Sequence, residues 1–286
     1  MRALKTGLLL TSLTLLLVLG GDALAGSQGM TFGLILAVGM NGFAYFFSDK
    51  IALKSSGAQP VTREQAPRLY AVMERLAAKG NLPMPKLYVI PQAAPNAFAT
   101  GRNPKHASVA ATEGLLELMN DDELEGVIAH ELSHVRNYDI LTTSIAATLA
   151  GAITWIASMA RWGMIFGGLG GGSRDERRGG GISALVMMLV APIAAMMIQL
   201  GISRQREYAA DAAGARLVGH PYGLISALEK LGAYNQRIPM TNVSPTTSSL
   251  YIVMPWSGGQ VLAGMFSTHP PLSDRIAVLR QMTITP

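Results

Sequence analysis

Four stretches of this chain run long without a charge: GLLLTSLTLLLVLGG (7–21), MTFGLILAVGMNGFAYFF (30–47), ILTTSIAATLAGAITWIASMA (140–160) and ISALVMMLVAPIAAMMIQLGIS (182–203). Stretches of about this length suit helices that cross a hydrocarbon core, where only a helix or a closed barrel satisfies its own backbone. With 49% hydrophobic and 14% charged residues among 286, the chain is too apolar for an ordinary soluble enzyme. An integral membrane protein is expected.

The first stretch, led by Arg2 and Lys5 and followed by Ala23-Leu24-Ala25, also fits a cleavable signal peptide. Because the second follows almost at once, an uncleaved transmembrane hairpin over 1–49 is the preferred reading. Lys50 and Lys54 come directly after it, and no Lys or Arg lies between Thr6 and Asp49. The positive-inside bias therefore places the following region in the cytoplasm. The loop from Arg161 to Gly181 fits less well, since its four Arg would lie outside if the third and fourth stretches both span. A hairpin that dips in without crossing would keep them inside.

The absence of cysteine excludes disulfides, thiolate metal sites and cysteine nucleophiles, so any metal must sit on His, Asp or Glu. The net charge of +5 is not gathered into basic runs interleaved with aromatics. No nucleic-acid partner is expected, and the excess suits anionic lipid.

Between the apolar stretches the texture changes. VTREQAPRLYAVMERLAAKGN reads as an amphipathic helix with Thr62 as N-cap, Leu69, Val72, Met73 and Leu76 on one face, and Gly80-Asn81 at its end. KLYVI (86–90), NAFAT (96–100) and HASVAAT (106–112) read as three strands of a small sheet. A further helix is expected from Asn120, with Asp121, Asp122 and Glu123 in its first turn and capping-box spacing between Asn120 and Glu123. GGLGGGSRDERRGGG lacks the GK[ST] ending of a phosphate-binding loop and reads as a flexible connector.

The helix from Asn120 carries GVIAHELSHVRNYD, in a chain with five histidines. His130 and His134 are i and i+4, so their imidazoles leave one face a turn apart and can take adjacent corners of a tetrahedral metal site. Glu131 lies beside that face, placed to reach a water rather than the ion. A third ligand must come from the same side of the membrane. SRQREYAADAAGARL supplies Glu207 and Asp211 four apart, after an even number of apolar stretches. Glu207 can take the third corner, and Asp211 can accept the spare N–H of a ligating histidine. The alternative is a solvated face in which Arg204 or Arg206 pairs with these acids. Asp139 is expected to be structural, pairing with Arg136 or nearby backbone, and His106 and His220 to be non-catalytic.

HELSHVRNYD, REYAAD and FSTHPPLSDRIAVL, on a chain of four hydrophobic segments, resemble the HtpX family of membrane-bound zinc metalloproteases, relatives of the CaaX prenyl proteases. The resemblance covers essentially the whole chain. It implies one zinc ion per chain on His130, His134 and Glu207, with Glu131 as base. His269, before Pro270-Pro271, is a candidate donor to the oxyanion or a gating group. NAFATG resembles the edge strand with which zincins grip an extended substrate, so Asn96 and Ala97 are expected to bind substrate.

The expected architecture is α+β and mainly helical. It comprises a transmembrane hairpin (1–49), a zincin (gluzincin)-like domain with a small sheet built from 50–140 and 204–286, and a second hydrophobic hairpin with a glycine-rich loop (141–203). The expected function is a zinc endopeptidase of the bacterial inner membrane, multi-pass, with a cytoplasmic catalytic domain, acting on misfolded or damaged membrane proteins. Two rivals stand beside it: a narrow-specificity processing peptidase of the prenyl-protease type, and a membrane chaperone or scaffold with structural zinc.

Overall fold

The computed structural model describes residues 2–149, 204–235, 250–253 and 270–284. The first element, α1 (Arg2–Ser55), is a helical run broken at Ala25 and Gly26, whose dihedrals are not helical. Its two arms fold back on each other. A Cβ on Gly29 would sit 2.0 Å from the Gly21 carbonyl oxygen, and one on Gly33 would sit 2.2 Å from that of Leu17, so the crossing requires residues without side chains. Farther along, Asn41 Nδ2 donates to the Leu10 carbonyl at 3.1 Å and to Thr14 Oγ1 at 3.0 Å. The second arm, Ala25–Ser55, is long and apolar enough to cross a membrane, and among the described residues it is the one helix that is.

After β1 (Gln59–Pro60) comes α2 (Pro67–Lys79), which starts four residues later than a Thr62 cap would put it. Proline explains the shift: Pro67 lacks an N–H and occupies the first helical turn, where none is needed, while Thr62–Ala66 forms a separate turn closed by Ala66 N–H on the Thr62 carbonyl. The face that α2 buries is Leu69, Val72, Met73, Leu76 and Ala77.

Strands β2 (Lys86–Ile90), β3 (Ala97–Gly101) and β4 (Ala107–Thr112) form a mixed sheet in the order β1-β2-β4-β3. β2 and β4 pair in parallel, and β3 pairs antiparallel to β4 as an outer strand. After α3 (Glu113–Leu118), the helix α4 (Asp121–Arg136) carries both histidines through the middle of the domain. Its capping box forms, Asn120 accepting from Glu123 N–H and Glu123 from Asn120 N–H, each at 2.9 Å. The Glu123 carboxylate is buried, with Ser226 Oγ at 2.6 Å and Lys230 Nζ at 2.7 Å.

Tyr138, at φ 58, turns the chain out of α4 and into the apolar helix α5 (Asp139–Leu149). Ile145, Ala146 and Leu149 of α5 pack on Leu9, Leu13 and Ala44 of the α1 arms. The third apolar stretch is described only as far as Leu149. The fourth, the glycine-rich loop and His269 lie outside the described residues.

Helices α6 (Arg204–Val218), α7 (Tyr222–Asn235) and α8 (Leu272–Arg280) complete the domain. α4 is the hub of its core, where Leu124, Val127, Ile128 and Leu132 meet Leu224, Leu228 and Leu231 of α7 and Leu279 of α8. Two close approaches set the hub. A Cβ on Gly126 would lie 2.5 Å from Leu224 N, and one on Gly214 would lie 2.9 Å from His130 N. The second contact brings α6 against the histidine-bearing face.

Candidate active site

His130, His134 and Glu207 converge, as helical spacing on α4 and the Gly214 contact require. The Nε2 atoms of the two histidines are 3.2 Å apart; Glu207 Oε2 is 3.7 Å from that of His130, and Glu207 Oε1 is 3.5 Å from that of His134. Ligands about 2.0–2.1 Å from a tetrahedral ion are separated by roughly 3.3 Å, so these donors already stand near the edges of such a site. Two imidazoles and one carboxylate also suit a borderline ion such as Zn²⁺, and with three protein donors one coordination position stays open. The residues fit a metal.

The outward nitrogens of both imidazoles face carboxylates. His130 Nδ1 lies 2.8 Å from Asp211 Oδ1, and His134 Nδ1 lies 3.4 Å from Asp139 Oδ2. An Nδ1–H donated outward leaves the Nε2 lone pair directed at the centre. The left-handed Tyr138 makes the second pairing possible, because it folds the first residue of α5 back over the last turn of α4. Asp139 also meets Arg206 Nε at 3.4 Å, so its cationic neighbour is Arg206 and not Arg136, which is exposed. Burial alone would lower the His134 pKa, but Asp139, Glu207 and Glu131 outweigh it and hold the imidazole at about 9. The carboxylates therefore favour a positive charge in the pocket, and a metal ligated by Nε2 would stand in place of its proton.

Glu131 is 2% exposed and lines the same cavity as His130, His134 and Glu207. Burial dominates its environment and raises its pKa above the usual carboxylate value, against the pull of His130 and His134 and a hydrogen bond from Ala99 N–H of β3. A buried carboxylate with raised basicity is equipped to take a proton and return it. Asp211 differs in kind. Its burial is offset by Arg275, which holds it down to about 2 and keeps it an acceptor.

Beside these groups the cavity is lined by Ala99 of β3, by Leu250, Tyr251 and Ile252 of the 250–253 segment, and by Ile140 and Thr143 of α5. Tyr251 packs edge-on against Phe98 at 5.1 Å, and Ile252 N–H donates to the Ala97 carbonyl at 2.9 Å. Asn96 and Ala97, expected to bind substrate, are engaged by the chain itself. Asn96 is 0% exposed and donates from Nδ2 to the Val253 carbonyl at 2.8 Å. The part of β3 beside the cavity is Ala99.

His106 is exposed and bonded to Asn103, and His220 faces Asp122 at 3.5 Å; neither reaches the cavity. The residue that sequence reasoning missed is Arg275 of α8. It is fully buried, and its Nε and Nη2 reach the two oxygens of Asp211 at 2.8 and 2.7 Å. The signal available beforehand was indirect: a buried Asp211 needs a cationic partner, and neither Arg204 nor Arg206 on its own helix supplies it.

The family model for peptidase family M48 matches residues 63–283. A protein named Protease HtpX homolog from Desulfatibacillum aliphaticivorans is 56% identical over 276 residues, covering 96% of this chain and 88% of that protein. Another so named, from Pelotomaculum thermopropionicum, is 51% identical over 284 residues, covering 99% of this chain and all of that protein. Among solved structures, the crystal structure of S. mikatae Ste24p is similar with a TM-score of 0.54 at 20% identity. That match covers 93% of this chain, which spans 62% of the Ste24p chain, and it is a likeness of fold.

Proposed function

The chain belongs to peptidase family M48, among the HtpX proteases, and from that premise we propose that it is a membrane-anchored zinc-dependent endopeptidase acting on misfolded or damaged membrane proteins. The observation that carries the reading is the convergence of His130, His134 and Glu207 at tetrahedral spacing, with Glu131 buried beside them.

His130, His134 and Glu207 would hold the zinc ion, which would supply Lewis acidity to polarise the scissile carbonyl towards attack by water. The remaining work belongs to the chain. Glu131 accepts the proton of the attacking water and delivers it to the leaving amine, and the Ala99 N–H keeps its carboxylate aimed into the cavity. Asp211 and Asp139 hold the two imidazoles in the tautomer that ligates. With its N–H given to Glu131, Ala99 on the outer edge of β3 offers its carbonyl to an extended substrate, a mode that reads little side-chain sequence and suits unfolded chains. In this reading His269 is the candidate for the oxyanion donor or for a gating group. Three protein ligands with an open position favour catalysis over a scaffold, since structural zinc sites are closed by four.

The α1 hairpin anchors the protease in the bacterial inner membrane, and Lys50 and Lys54 at its exit favour a cytoplasmic catalytic domain.

The test uses the full chain in detergent, stripped of metal and recharged with zinc. Glu131→Gln should bind zinc like wild type and lose cleavage of an unfolded membrane protein by about 10²–10⁴-fold, while Glu207→Ala should lose both. If Glu131→Gln cuts like wild type, the peptidase centre lies elsewhere.

A further inference from the structure

Arg275 is the largest fully buried side chain among the described residues. A guanidinium taken out of water costs several kcal/mol unless its charge is paired and its donors are used. The Arg275 donors run in two directions. Nε and Nη2 fork onto Asp211 Oδ2 and Oδ1 at 2.8 and 2.7 Å, while Nη1 donates to the Ile252 carbonyl at 3.0 Å. Each partner leads onward: Asp211 Oδ1 is 2.8 Å from His130 Nδ1, and Ile252 N–H is bonded to Ala97 of β3. One side chain thus ties the partner of a would-be metal ligand to the wall of the cleft.

Resting on the zinc-peptidase reading, the geometry points to Arg275 as a positioning residue that orients His130 through Asp211 and sets the 250–253 wall of the cleft through the Ile252 carbonyl. A carboxylate on a single bond rotates broadly about its last torsion. The two-pronged fork removes that freedom, so the Asp211 oxygen stays opposite His130 Nδ1 and the imidazole keeps Nε2 turned to the centre. Lysine could supply the charge but not the fork. A guanidinium that served stability alone would not need to stand 3.5 Å from His130 Nδ1 and 3.9 Å from Glu207 while holding the cleft wall.

The experiment compares wild type, Arg275→Lys, Asp211→Asn and the double variant as full chains in detergent. It measures the zinc dissociation constant by chelator competition, KM and kcat with zinc saturating, and the melting temperature without metal. Arg275→Lys, which keeps the buried charge and so favours folding, should weaken zinc binding about 10–100-fold. Asp211→Asn should do the same, and the double variant should be no weaker than the worse single one, because both act along one path. KM should rise in Arg275→Lys and stay near wild type in Asp211→Asn. Unchanged zinc affinity in Arg275→Lys, or losses that multiply in the double variant, would overturn the His130 link even if stability fell. Equal KM values would overturn the link to the cleft wall. Wild type that takes up no zinc and cuts nothing would instead sink the peptidase reading itself.

Discussion

The second arm of α1 and the helix α4 are built inside out relative to each other. α4 turns Glu123, His130 and Glu131 inward and is wrapped by α2, α6 and α7. The α1 arm turns Phe32, Ile35 and Val38 outward at 67%, 67% and 65% exposure, and sets its polar Asn41 against Leu10 and Thr14 of the other arm. One rule covers both cases, namely that a polar group is placed where it finds a partner. α4 can bury charge because Lys230, Asp211 and Arg275 come with it. The α1 arm can leave so much apolar surface uncovered only if hydrocarbon, not water, surrounds it.

The same substitution at two exposed apolar residues breaks or sharpens this contrast. Ile35→Asp should cost about 2.5–3.5 kcal/mol of membrane insertion, read as loss of carbonate-resistant protein. Val278→Asp, on α8 and 43% exposed, should shift stability by no more than about 0.5 kcal/mol. Equal tolerance at both sites would mean that the hairpin sits in water. Next in size is Gly214→Val, which forces side-chain atoms into the His130 backbone; overpacking of about 1–3 kcal/mol is expected, together with lost zinc affinity as Glu207 moves away. Gly39→Val, where nothing lies within 4 Å of an added Cβ, should leave zinc binding intact.

A smaller effect concerns charge burial in α4. Burial would raise the Glu123 pKa, but Lys230, Ser226 and the Asn120 N–H outweigh it and lower it below its ordinary 4.5. A carboxyl whose folded pKa is lowered stabilises fully above its unfolded value, and that stabilisation is lost as pH falls through the folded value. Glu123→Gln should therefore cost about 1–2 kcal/mol at neutral pH, and the gap in melting temperature should narrow once pH drops below the ordinary carboxyl range. A gap that is constant down to pH 3 would show that Glu123 acts by shape alone. Smallest is Asn41→Leu in the hairpin, about 0.6 kcal/mol if it works as a hydrogen bond between membrane helices, read by reversible unfolding in detergent.

What was legible in the sequence was local in character. The i, i+4 histidines, the Asn120–Glu123 box and the apolar run of α1 each lie within a few turns of chain, where helix geometry alone decides what meets. The α2 start was misplaced by weighing Thr62 as a cap above Pro67, although proline fixes the first turn more firmly than a hydroxyl does. β1 went unseen because two residues carry no periodicity; they become a strand only by pairing with Tyr88 and Val89. Arg275 was hidden for a third reason. It meets Asp211 across 64 positions and Ile252 across 23, and in its own sequence neighbourhood it reads as an ordinary polar residue of an amphipathic helix. Similarly, NAFAT was readable as a strand, but that Ile252 and Val253 would close on its near end was not.

The left-handed Tyr138 makes the catalytic domain hard to excise. Asp139, which faces His134, is the first residue of α5, and α5 carries Ile145, Ala146 and Leu149 into the packing of the hairpin. A fragment trimmed to behave in water would have to end before those residues, and it would then hold Asp139 on a frayed end with no helix to fix its direction. A fragment that kept them would bring an adhesive apolar stub. The histidine site and its anchor are thus one mechanical unit, joined through Asn137 and Tyr138.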